Sequence, residues 1–392
     1  MTCWKSVRAV DFIDFNPHLN LKKGTIATKI GMDKLKPFSK KIPEAEKAEF
    51  NGGAKFCNGD TIMARITPCL ENGKTAFVDM LDDGEVGFGS TEFIVMRAKT
   101  GISDPQFVYY TTTNPAFRNV AIKSMVGSSG RQRVQQSVLE ELELPVPDLD
   151  EQKRIGTFLA RLDEKIVLNN RINENLLEQA LTLYATQFSS LELNGCIGDY
   201  CSVKSGFAFK SSWWTNCGVR VIKIGSINQD NLNLLECSYV DEDKANKAKD
   251  FVVKAGDLLI AMTGATIGKF AMVPYSSEVL LVNQRVGKFF LGNNPVEKLP
   301  FIYCTLKQPE VYAEVVNRGQ GSAQPNISAS DIMSIPCVIP SQDAINNFND
   351  MSQPLFDLII SNQRENRQLS ELRNALLPKL MSGELDVSDI EL

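Results

Sequence analysis

The stretch GDTIMARITPCLENGKTAFV, residues 59–78, decides the fold because the chain contains it twice. A second version, GDLLIAMTGATIGKFAMV, occupies residues 256–273, about half of the 392-residue chain further on. A repeat at this distance predicts two similar domains, each with its own core. The shared positions are Gly59, Asp60, Ala64, Gly73, Lys74 and Val78 in the first version, and Gly256, Asp257, Ala261, Gly268, Lys269 and Val273 in the second.

The repeat extends beyond this stretch. FVYYTTTNPAF (107–117) resembles FIYCTLKQPEV (301–311), and SGRQRVQQSVLEELELPVP (129–147) aligns without gaps on SAQPNISASDIMSIPCVIP (322–340). The second pair of segments predicts a polar loop, a helical turn and a strand that ends at a proline, which cannot donate to a β-ladder.

A long helical pattern follows each of these prolines. In both patterns apolar residues recur at alternating spacings of four and three, which is typical of a heptad seam. Asp148 and Glu151 predict a capping box at the first helix start, and Pro378 and Gly383 are expected to end the second helix. Pro354 is expected to kink or restart that helix. The seam positions are Ile155, Leu159, Leu162, Ile166, Asn169, Asn173, Leu176, Ala180 and Leu183, then Phe348, Ser352, Leu355, Ile359, Asn362, Asn366, Leu369, Arg373 and Leu376.

Two asparagine pairs occupy core positions of these seams: Asn169 with Asn173, and Asn362 with Asn366. A polar residue at such a position costs stability but fixes the register of a coiled coil. If the helices pack antiparallel, we expect Asn169 to meet Asn362. The alternative interpretation is that these are solvated helix residues.

The sequence therefore predicts an α+β fold of two similar mixed α/β domains separated by two long helices. The helices form an antiparallel coiled coil, and the arrangement is pseudo-twofold symmetric. The predicted boundaries are 1–148 for the first mixed α/β domain, 149–193 for the first long helix, 194–340 for the second mixed α/β domain and 341–392 for the second helical segment.

Composition excludes several classes of protein. The hydrophobic fraction of 43% is ordinary for a globular chain, and no apolar run is long enough for a transmembrane helix. The N-terminal MTCWKSVRAVDF has no apolar signal core, so the sequence predicts a cytoplasmic protein without a membrane partner. Nine scattered cysteines and a single histidine favour reduced thiols over disulfides or a metal site.

The net charge of −5 is unevenly distributed. Residues 341–392 carry nine acidic and four basic side chains, whereas the two repeat-bearing segments are nearly neutral. A basic face on each repeat is therefore compatible with the overall acidity.

Motifs of catalysis are incomplete in this sequence. NPAF (114–117) lacks the second proline of the N-P-P-[FY] motif of adenine methyltransferases, and no glycine-rich cofactor loop accompanies it. PDLDEQK (147–153) imitates a nuclease motif, but its carboxylates fall on one helix start instead of on separate strands. There is also no phosphate-binding loop and no triad. We expect a non-enzyme without a cofactor, a metal or a catalytic residue.

The layout itself points to DNA. Two similar domains related by a twofold axis match the local symmetry of a duplex, and non-identical domains would read two different half-sites. Another possible function is a scaffold whose heptads recruit proteins only.

The segments SVLEELELPVPDLDEQKRI (137–155) and LRNALLPKLMSGELDV (372–387), with the duplicated helices, resemble the specificity subunit of type I restriction-modification systems. GSTEFIVMRA (89–98) and VNQRVGKFF (282–290) are similar to segments of its target recognition domains. SQDAINNF (341–348) departs from this pattern because it lacks the DEQKRI of the first half.

The resemblance implies a DNA sequence-recognition subunit that binds a bipartite, asymmetric site on double-stranded DNA, one half per domain. It also implies that two methyltransferase subunits and then restriction subunits dock on the chain. The alternative is a stand-alone two-domain sequence-specific DNA-binding protein.

The candidate DNA contacts are loop residues with donors for phosphates and base edges. Glycines in the loops GSSGRQR (127–133) and RGQGSAQPN (318–326) permit close approach of the backbone. The alternative is that these are ordinary solvated turns. The candidates are Arg65, Lys74, Thr91, Ser129, Arg131, Gln132 and Arg133 in the first domain, and Lys204, Ser205, Lys269, Asn283, Gln284, Arg285, Arg318, Gln320, Gln324 and Asn326 in the second.

Overall fold

The structure is a computed structural model that describes residues 4–128, 130–319 and 325–390. The chain divides into two compact units: unit 1 comprises Met1–Val167 and Gln368–Leu392, and unit 2 comprises Leu168–Arg367. No helix in the described ranges is both long enough and apolar enough to cross a membrane.

The N-terminal half contains short strands followed by helices. Its strands are β1 (Lys5–Arg8), β2 (Ile13–Phe15), β3 (Ile26–Ile30), β4 (Glu46–Glu49), β5 (Ala54–Phe56), β6 (Thr61–Ala64), β7 (Thr75–Phe77), β8 (Gly87–Gly89), β9 (Phe93–Ala98) and β10 (Glu143–Val146). Its helices are α1 (Ala9–Phe12), α2 (Pro105–Thr113), α3 (Pro115–Lys123), α4 (Gln136–Glu140) and α5 (Leu149–Phe188).

Unit 1 is built on two four-stranded sheets. One is antiparallel with the order β2-β9-β6-β7, and the other has the order β4-β3-β8-β5, with β3 and β8 parallel. The central strand β6 is buried on both faces because it lies between two cores. Met63 packs in the core that contains α2, whereas its neighbour Ile62 packs in the core under the second sheet. This explains why β6 has the consecutive apolar residues Ile62, Met63 and Ala64 instead of an alternating pattern.

The C-terminal half repeats this order of elements with three added short strands and one added helix. Its strands are β11 (Gly195–Cys196), β12 (Ser202–Ser205), β13 (Trp214–Thr215), β14 (Val219–Ile222), β15 (Ile227–Asn228), β16 (Asn231–Leu232), β17 (Ser238–Val240), β18 (Val252–Val253), β19 (Leu258–Ala261), β20 (Phe270–Met272), β21 (Leu280–Val282), β22 (Val286–Phe290) and β23 (Pro336–Cys337). Its helices are α6 (Ile197–Tyr200), α7 (Glu242–Asn246), α8 (Leu299–Leu306), α9 (Pro309–Gly319), α10 (Ala329–Met333) and α11 (Gln342–Ser382). Short 3-10 turns lie at Ser211–Trp213, Ile224–Ser226, Leu234–Glu236, Lys249–Phe251, Gly264–Thr266, Pro295–Glu297 and Val387–Asp389.

Unit 2 repeats the two sheets of unit 1, with an added edge strand, β13, in the mixed sheet and an additional two-stranded sheet of β15 and β16. Its antiparallel sheet has the order β12-β22-β19-β20, and its mixed sheet has the order β13-β17-β14-β21-β18, with β14 and β21 parallel. The repeated sequence therefore forms a repeated mixed α/β fold, as predicted. The helical turns α4 and α10 lie where the second repeat predicts them, and β10 ends directly before Pro147. The strand β23 is also present, but it has only two residues and ends at Cys337 instead of at Pro340.

The two long helices begin and end for identifiable reasons. The carboxylate of Asp148 accepts the backbone N–H of Glu151 at 2.9 Å and so caps α5, while the Glu151 side chain bonds Arg154. Helix α11 is continuous through Pro354 and Pro378, so the expected restart and the expected end at these prolines are wrong. It ends at Gly383, whose φ of +74° is the conformation that favours glycine.

Within each unit the segments of α5 and α11 pack antiparallel. In unit 1 Asp163 pairs with Arg373, and in unit 2 Asn169 donates to Asn366 at 2.9 Å while Asn362 donates to Asn173 at 2.8 Å. The expected contact between Asn169 and Asn362 is therefore wrong. The two asparagines of each helix are four residues apart, so an antiparallel partner presents them in reverse order, and each meets the other member of the opposite pair.

Candidate nucleic-acid interface

Three backbone segments of unit 1 meet beyond the end of β6. The Arg65 N–H donates to the Glu92 carbonyl at 2.9 Å, and the Val134 N–H donates to the Arg65 carbonyl at 2.8 Å. The Thr67 N–H then donates to the Gln132 carbonyl at 3.0 Å. We call segments 65–67, 91–92 and 131–134 loop cluster 1.

Unit 2 repeats these three hydrogen bonds beyond the end of β19. The Met262 N–H donates to the Arg285 carbonyl at 3.0 Å, the Ile327 N–H to the Met262 carbonyl at 2.9 Å, and the Gly264 N–H to the Pro325 carbonyl at 3.0 Å. We call segments 262–264, 284–285 and 325–327 loop cluster 2. The repeat thus preserves the backbone of the cluster although most of its side chains differ.

The side chains of loop cluster 1 form a charged surface that is partly neutralised. The Arg133 guanidinium Nε donates to both carboxylate oxygens of Glu92, at 2.9 and 3.1 Å. This hydrogen bond keeps the pKa of Glu92 below its usual value. Arg65 is half-buried, and among the described residues its Nε has no hydrogen-bond partner. Thr91 and Arg131 are exposed, and Gln132 is half-buried.

Loop cluster 2 borders an open groove of about 1170 Å³. Gln284, Arg285 and Asn326 line the groove and are exposed, and Ser205 joins them from the end of β12. Arginine and the amide side chains present the donors and acceptors that read base edges in a DNA groove. The structure therefore brings four of the predicted residues of unit 2 to one concave surface.

Other predicted residues have structural partners instead. The Lys74 ammonium is half-buried and donates to the Met32 carbonyl at 2.8 Å. Arg318 bonds Glu314 at 2.8 Å and the Asp331 carbonyl at 3.0 Å, and it also donates to Ser334. The Arg318 contacts hold the end of α9 against the last turn of α10. Lys74 and Arg318 therefore serve the fold.

Three further predicted residues, Asn283, Lys204 and Lys269, are not among the residues that line the groove. Asn283 is 7% exposed, and its side-chain oxygen accepts the Arg285 N–H at 3.2 Å, so it shapes the loop. Lys204 is exposed with its ammonium 5.0 Å from the centre of the Phe290 ring, and Lys269 is half-buried. The predicted contacts Ser129, Gln320 and Gln324 lie outside the described residues.

Sequence reasoning missed the role of Glu92 in loop cluster 1. Its position was detectable, because the alignment of GSTEFIVMRA with VNQRVGKFF places Glu92 opposite Arg285. A repeat that carries an acid in one copy and a base in the other is a signal that the two copies contact different chemical groups.

Cysteine and carboxylate chemistry adds no metal centre in the described ranges. No group of three or more His, Cys, Asp or Glu side chains there could hold a metal ion, and the eight described cysteines are free. Burial raises the pKa of the Cys201 thiol to about 12, so this group is protonated at neutral pH.

The model of the type I restriction modification DNA specificity domain matches residues 53–178 and 193–369, which is more than half of the chain. The chain belongs to this family. Both loop clusters fall within the matched ranges, so the type I DNA specificity family shares the segments that carry the candidate interface.

Individual relatives are named as specificity subunits of type I restriction enzymes. The chain is 21% identical to the type I restriction enzyme MjaVIII specificity subunit of Methanocaldococcus jannaschii over 328 residues, covering 78% of this chain and 76% of the relative. It is 25% identical to the MjaIX specificity subunit of the same organism over 310 residues, covering 73% and 70%. A crystal structure of a type I restriction-modification system S subunit from M. genitalium has the same fold, with a TM-score of 0.53, 16% identity, and coverage of 97% of this chain and 96% of that one.

Proposed function

We propose that this chain is the DNA sequence-recognition subunit of a type I restriction-modification complex. Each loop cluster reads one half of a bipartite, asymmetric site on double-stranded DNA. The single observation that supports this most is the preserved hydrogen-bonded backbone of the two clusters with exchanged side chains. A constant frame with variable side chains is what two different half-sites require.

In loop cluster 2, Arg285 and Gln284 are the base-reading candidates. Both are exposed on the groove, and the described residues show no ion pair to Arg285. A free arginine can donate two hydrogen bonds to the O6 and N7 atoms of guanine, whereas glutamine pairs with adenine.

In loop cluster 1, the Arg133–Glu92 pair changes this chemistry. A carboxylate accepts hydrogen bonds, so Glu92 is suited to the N4 amino group of cytosine. Arg65 and Arg131 supply positive charge for phosphates around it.

The remaining parts of the chain then take supporting roles. Residues 1–148 and 194–340 are the two recognition domains, and 149–193 and 341–392 are helical spacers that dock two methyltransferase subunits and, through them, restriction subunits. The chain itself contributes recognition and no catalytic step, and the complex acts in the cytoplasm.

Domain replacement tests this function. The chain is co-expressed with its methyltransferase subunits, and methylated positions are mapped by genome sequencing before and after residues 1–148 are replaced by those of another specificity subunit. We expect one half of the methylated motif to change and the other half to stay the same. A complex that methylates without sequence preference would refute the proposal, and specific binding by the isolated chain without any effect of the subunits would favour a stand-alone DNA-binding protein.

A further inference from the structure

Unit 2 carries a basic cluster around Trp213 that the recognition groove does not include. The ammonium groups of Lys210, Lys244 and Lys247 lie 5.8, 5.8 and 5.5 Å from the centre of the Trp213 ring. Lys210 and Lys247 are exposed, and Trp213 is half-buried. We call these four residues the Trp213 patch.

The indole explains why three positive charges can gather here. An ammonium over the face of a tryptophan is attracted by the ring by about 0.5–1 kcal/mol at an exposed site. Trp213 is itself fixed by the Phe207 ring, which stacks on it with a centre-to-centre distance of 6.2 Å. The ring therefore orients lysines that would otherwise point freely into solvent.

The charges of the patch are not neutralised by the protein. The described contacts include no ion pair to any of its three lysines, although the first turn of α7 carries Glu242 and Asp243. All three ammonium groups lie within 5.8 Å of one ring centre, so they repel one another. A polyanion that covers the patch would remove this repulsion.

The patch is continuous with the groove of loop cluster 2. The Gln284 N–H donates to the Phe207 carbonyl at 2.9 Å, and Ala208, one residue later, lines the groove. Phe207 thus touches the base-reading segment through its backbone and Trp213 through its ring. A duplex that lies in the groove therefore has the patch beside it.

We propose that the Trp213 patch binds phosphates of duplex DNA next to the half-site read by loop cluster 2. This inference rests on the proposed function. The loop that follows β2 in unit 1, residues 16–25, has two lysines but no tryptophan to orient them. The contact is therefore asymmetric: it extends the DNA footprint on the side of unit 2 only.

The first experiment measures the salt dependence of DNA binding by the full chain assembled with its methyltransferase subunits. The probe is a duplex that contains the methylated motif mapped in the genome. Lys210→Gln with Lys247→Gln should lower the slope of log affinity against log salt by about 2, one for each lost phosphate contact, and should leave discrimination between half-sites unchanged. Lys210→Arg with Lys247→Arg should restore the slope.

The matched control is Lys254→Gln with Lys298→Gln, which removes the same charge from two exposed lysines of unit 2. We expect the control to leave the slope unchanged. Equal slopes for the control and patch variants would overturn the proposal, since general electrostatics would then explain the effect.

The second experiment changes the DNA. A duplex that ends at the unit 2 half-site is compared with one that continues for ten more base pairs on that side. The wild-type complex should prefer the longer duplex by about tenfold at low salt, and the Lys210→Gln, Lys247→Gln complex should not distinguish them. A patch variant that keeps this preference but loses methyltransferase subunits would overturn the proposal in favour of an acidic protein partner. If the wild-type complex showed no sequence preference among duplexes, this would instead refute the proposed function.

Discussion

One layer of the helix pair has opposite chemistry in the two units. In unit 1 it consists of Asp163 and Arg373, which form an ion pair. Adding 193 to Asp163 and subtracting 193 from Arg373 gives Phe356 and Ala180, and both are buried in the core of unit 2. The antiparallel register therefore places a charged layer in one unit where the other has an apolar layer.

The neighbours of the two layers have changed with them. In unit 1 the Tyr110 hydroxyl donates to Asp163 at 2.5 Å, and the Lys40 ammonium lies 5.2 Å from the centre of the Tyr110 ring. In unit 2 the Phe356 ring packs edge-on against Tyr303 with a centre-to-centre distance of 5.3 Å. Burial lowers the pKa of Lys40, and it raises the pKa of Tyr110 far above its usual range. The two units thus share the packing geometry of the helices but stabilise this layer by different interactions, an ion pair in unit 1 and apolar packing in unit 2.

The largest expected effect is on the charged layer. Asp163→Ala leaves Arg373 buried without its carboxylate and removes the acceptor of the Tyr110 hydroxyl. Loss of one partner of a buried ion pair costs about 3–5 kcal/mol. We expect urea denaturation to show a decrease of this size in the free energy of unfolding.

Two variants sharpen this result. Arg161→Ala removes an exposed charge two residues away on the same helix, and it should change stability little. Asp163→Phe with Arg373→Ala copies the layer of unit 2 into unit 1 and should recover part of the loss, because no arginine is left buried without its carboxylate, whereas the Tyr110 hydroxyl still lacks its acceptor. If the double variant were less stable than Asp163→Ala, the two layers would not be interchangeable.

The positions of the repeated elements could be predicted from the sequence. The repeat offset placed both loop clusters and both long helices, because a hydrophobic pattern and its turns are local properties of the chain. The side-chain pairings could not be predicted in the same way. Whether Arg133 faces DNA or Glu92 depends on two segments 41 residues apart, and whether Arg318 is free depends on how α9 meets α10.

The asparagine layers show where pattern reasoning needs geometry. The sequence identified the four residues and their heptad positions, but not that Asn169 lies opposite Asn366. A shift of one layer leaves the apolar pattern of both helices intact, so the pattern alone cannot distinguish the two registers. Hydrogen bonds between side chains make that distinction.

The second prediction compares the loop clusters through their opposite charges. Arg285→Ala in loop cluster 2 should relax the recognition of one base pair of the unit 2 half-site by about 1–3 kcal/mol, since a bidentate arginine contact is lost. Competition binding with duplexes mutated at single positions measures this loss. Arg133→Ala is the comparison, because this arginine is already paired with Glu92. Equal relaxation of the same half-site by both variants would contradict the assignment of one cluster to each half.

The third prediction concerns two glutamates that the repeat places at equivalent positions, Glu85 and Glu278. The Glu85 carboxylate accepts hydrogen bonds from the Thr28 N–H at 2.8 Å and from Lys47 at 2.8 Å, and its side chain is 14% exposed. Glu278 pairs with Arg220, and its side chain is 54% exposed. Burial alone would raise the pKa of Glu85, yet these hydrogen bonds lower it to about 2.

Glu85→Gln should therefore lower the free energy of unfolding by about 1–2 kcal/mol at pH 7, and Glu278→Gln should lower it less. The folded-state pKa of Glu85 lies below its ordinary value of 4.5, so its contribution is present above pH 4.5 and is lost as the pH falls towards 2. Denaturation curves at several pH values should show the wild type and Glu85→Gln converging over that interval. A difference that stays constant from pH 7 to pH 3 would mean that the charge of Glu85 is not what stabilises the sheet.

The smallest effect on stability is expected at the asparagine layers of unit 2. Asn173→Leu with Asn362→Leu replaces the 2.8 Å hydrogen bond by apolar contact and should raise the free energy of unfolding by less than about 1 kcal/mol.

The consequence of this change should instead be a loss of register, because a polar core position excludes shifted pairings of a coiled coil at some cost in stability. Methylation of duplexes whose central spacer is one base pair longer or shorter measures this, and the variant should accept both where the wild type accepts neither. Asn175→Leu, at an exposed position of α5, is the matched control and should keep the wild-type spacer requirement. Should the double variant also keep it, the register of the helices would be fixed by their apolar packing and not by the asparagines.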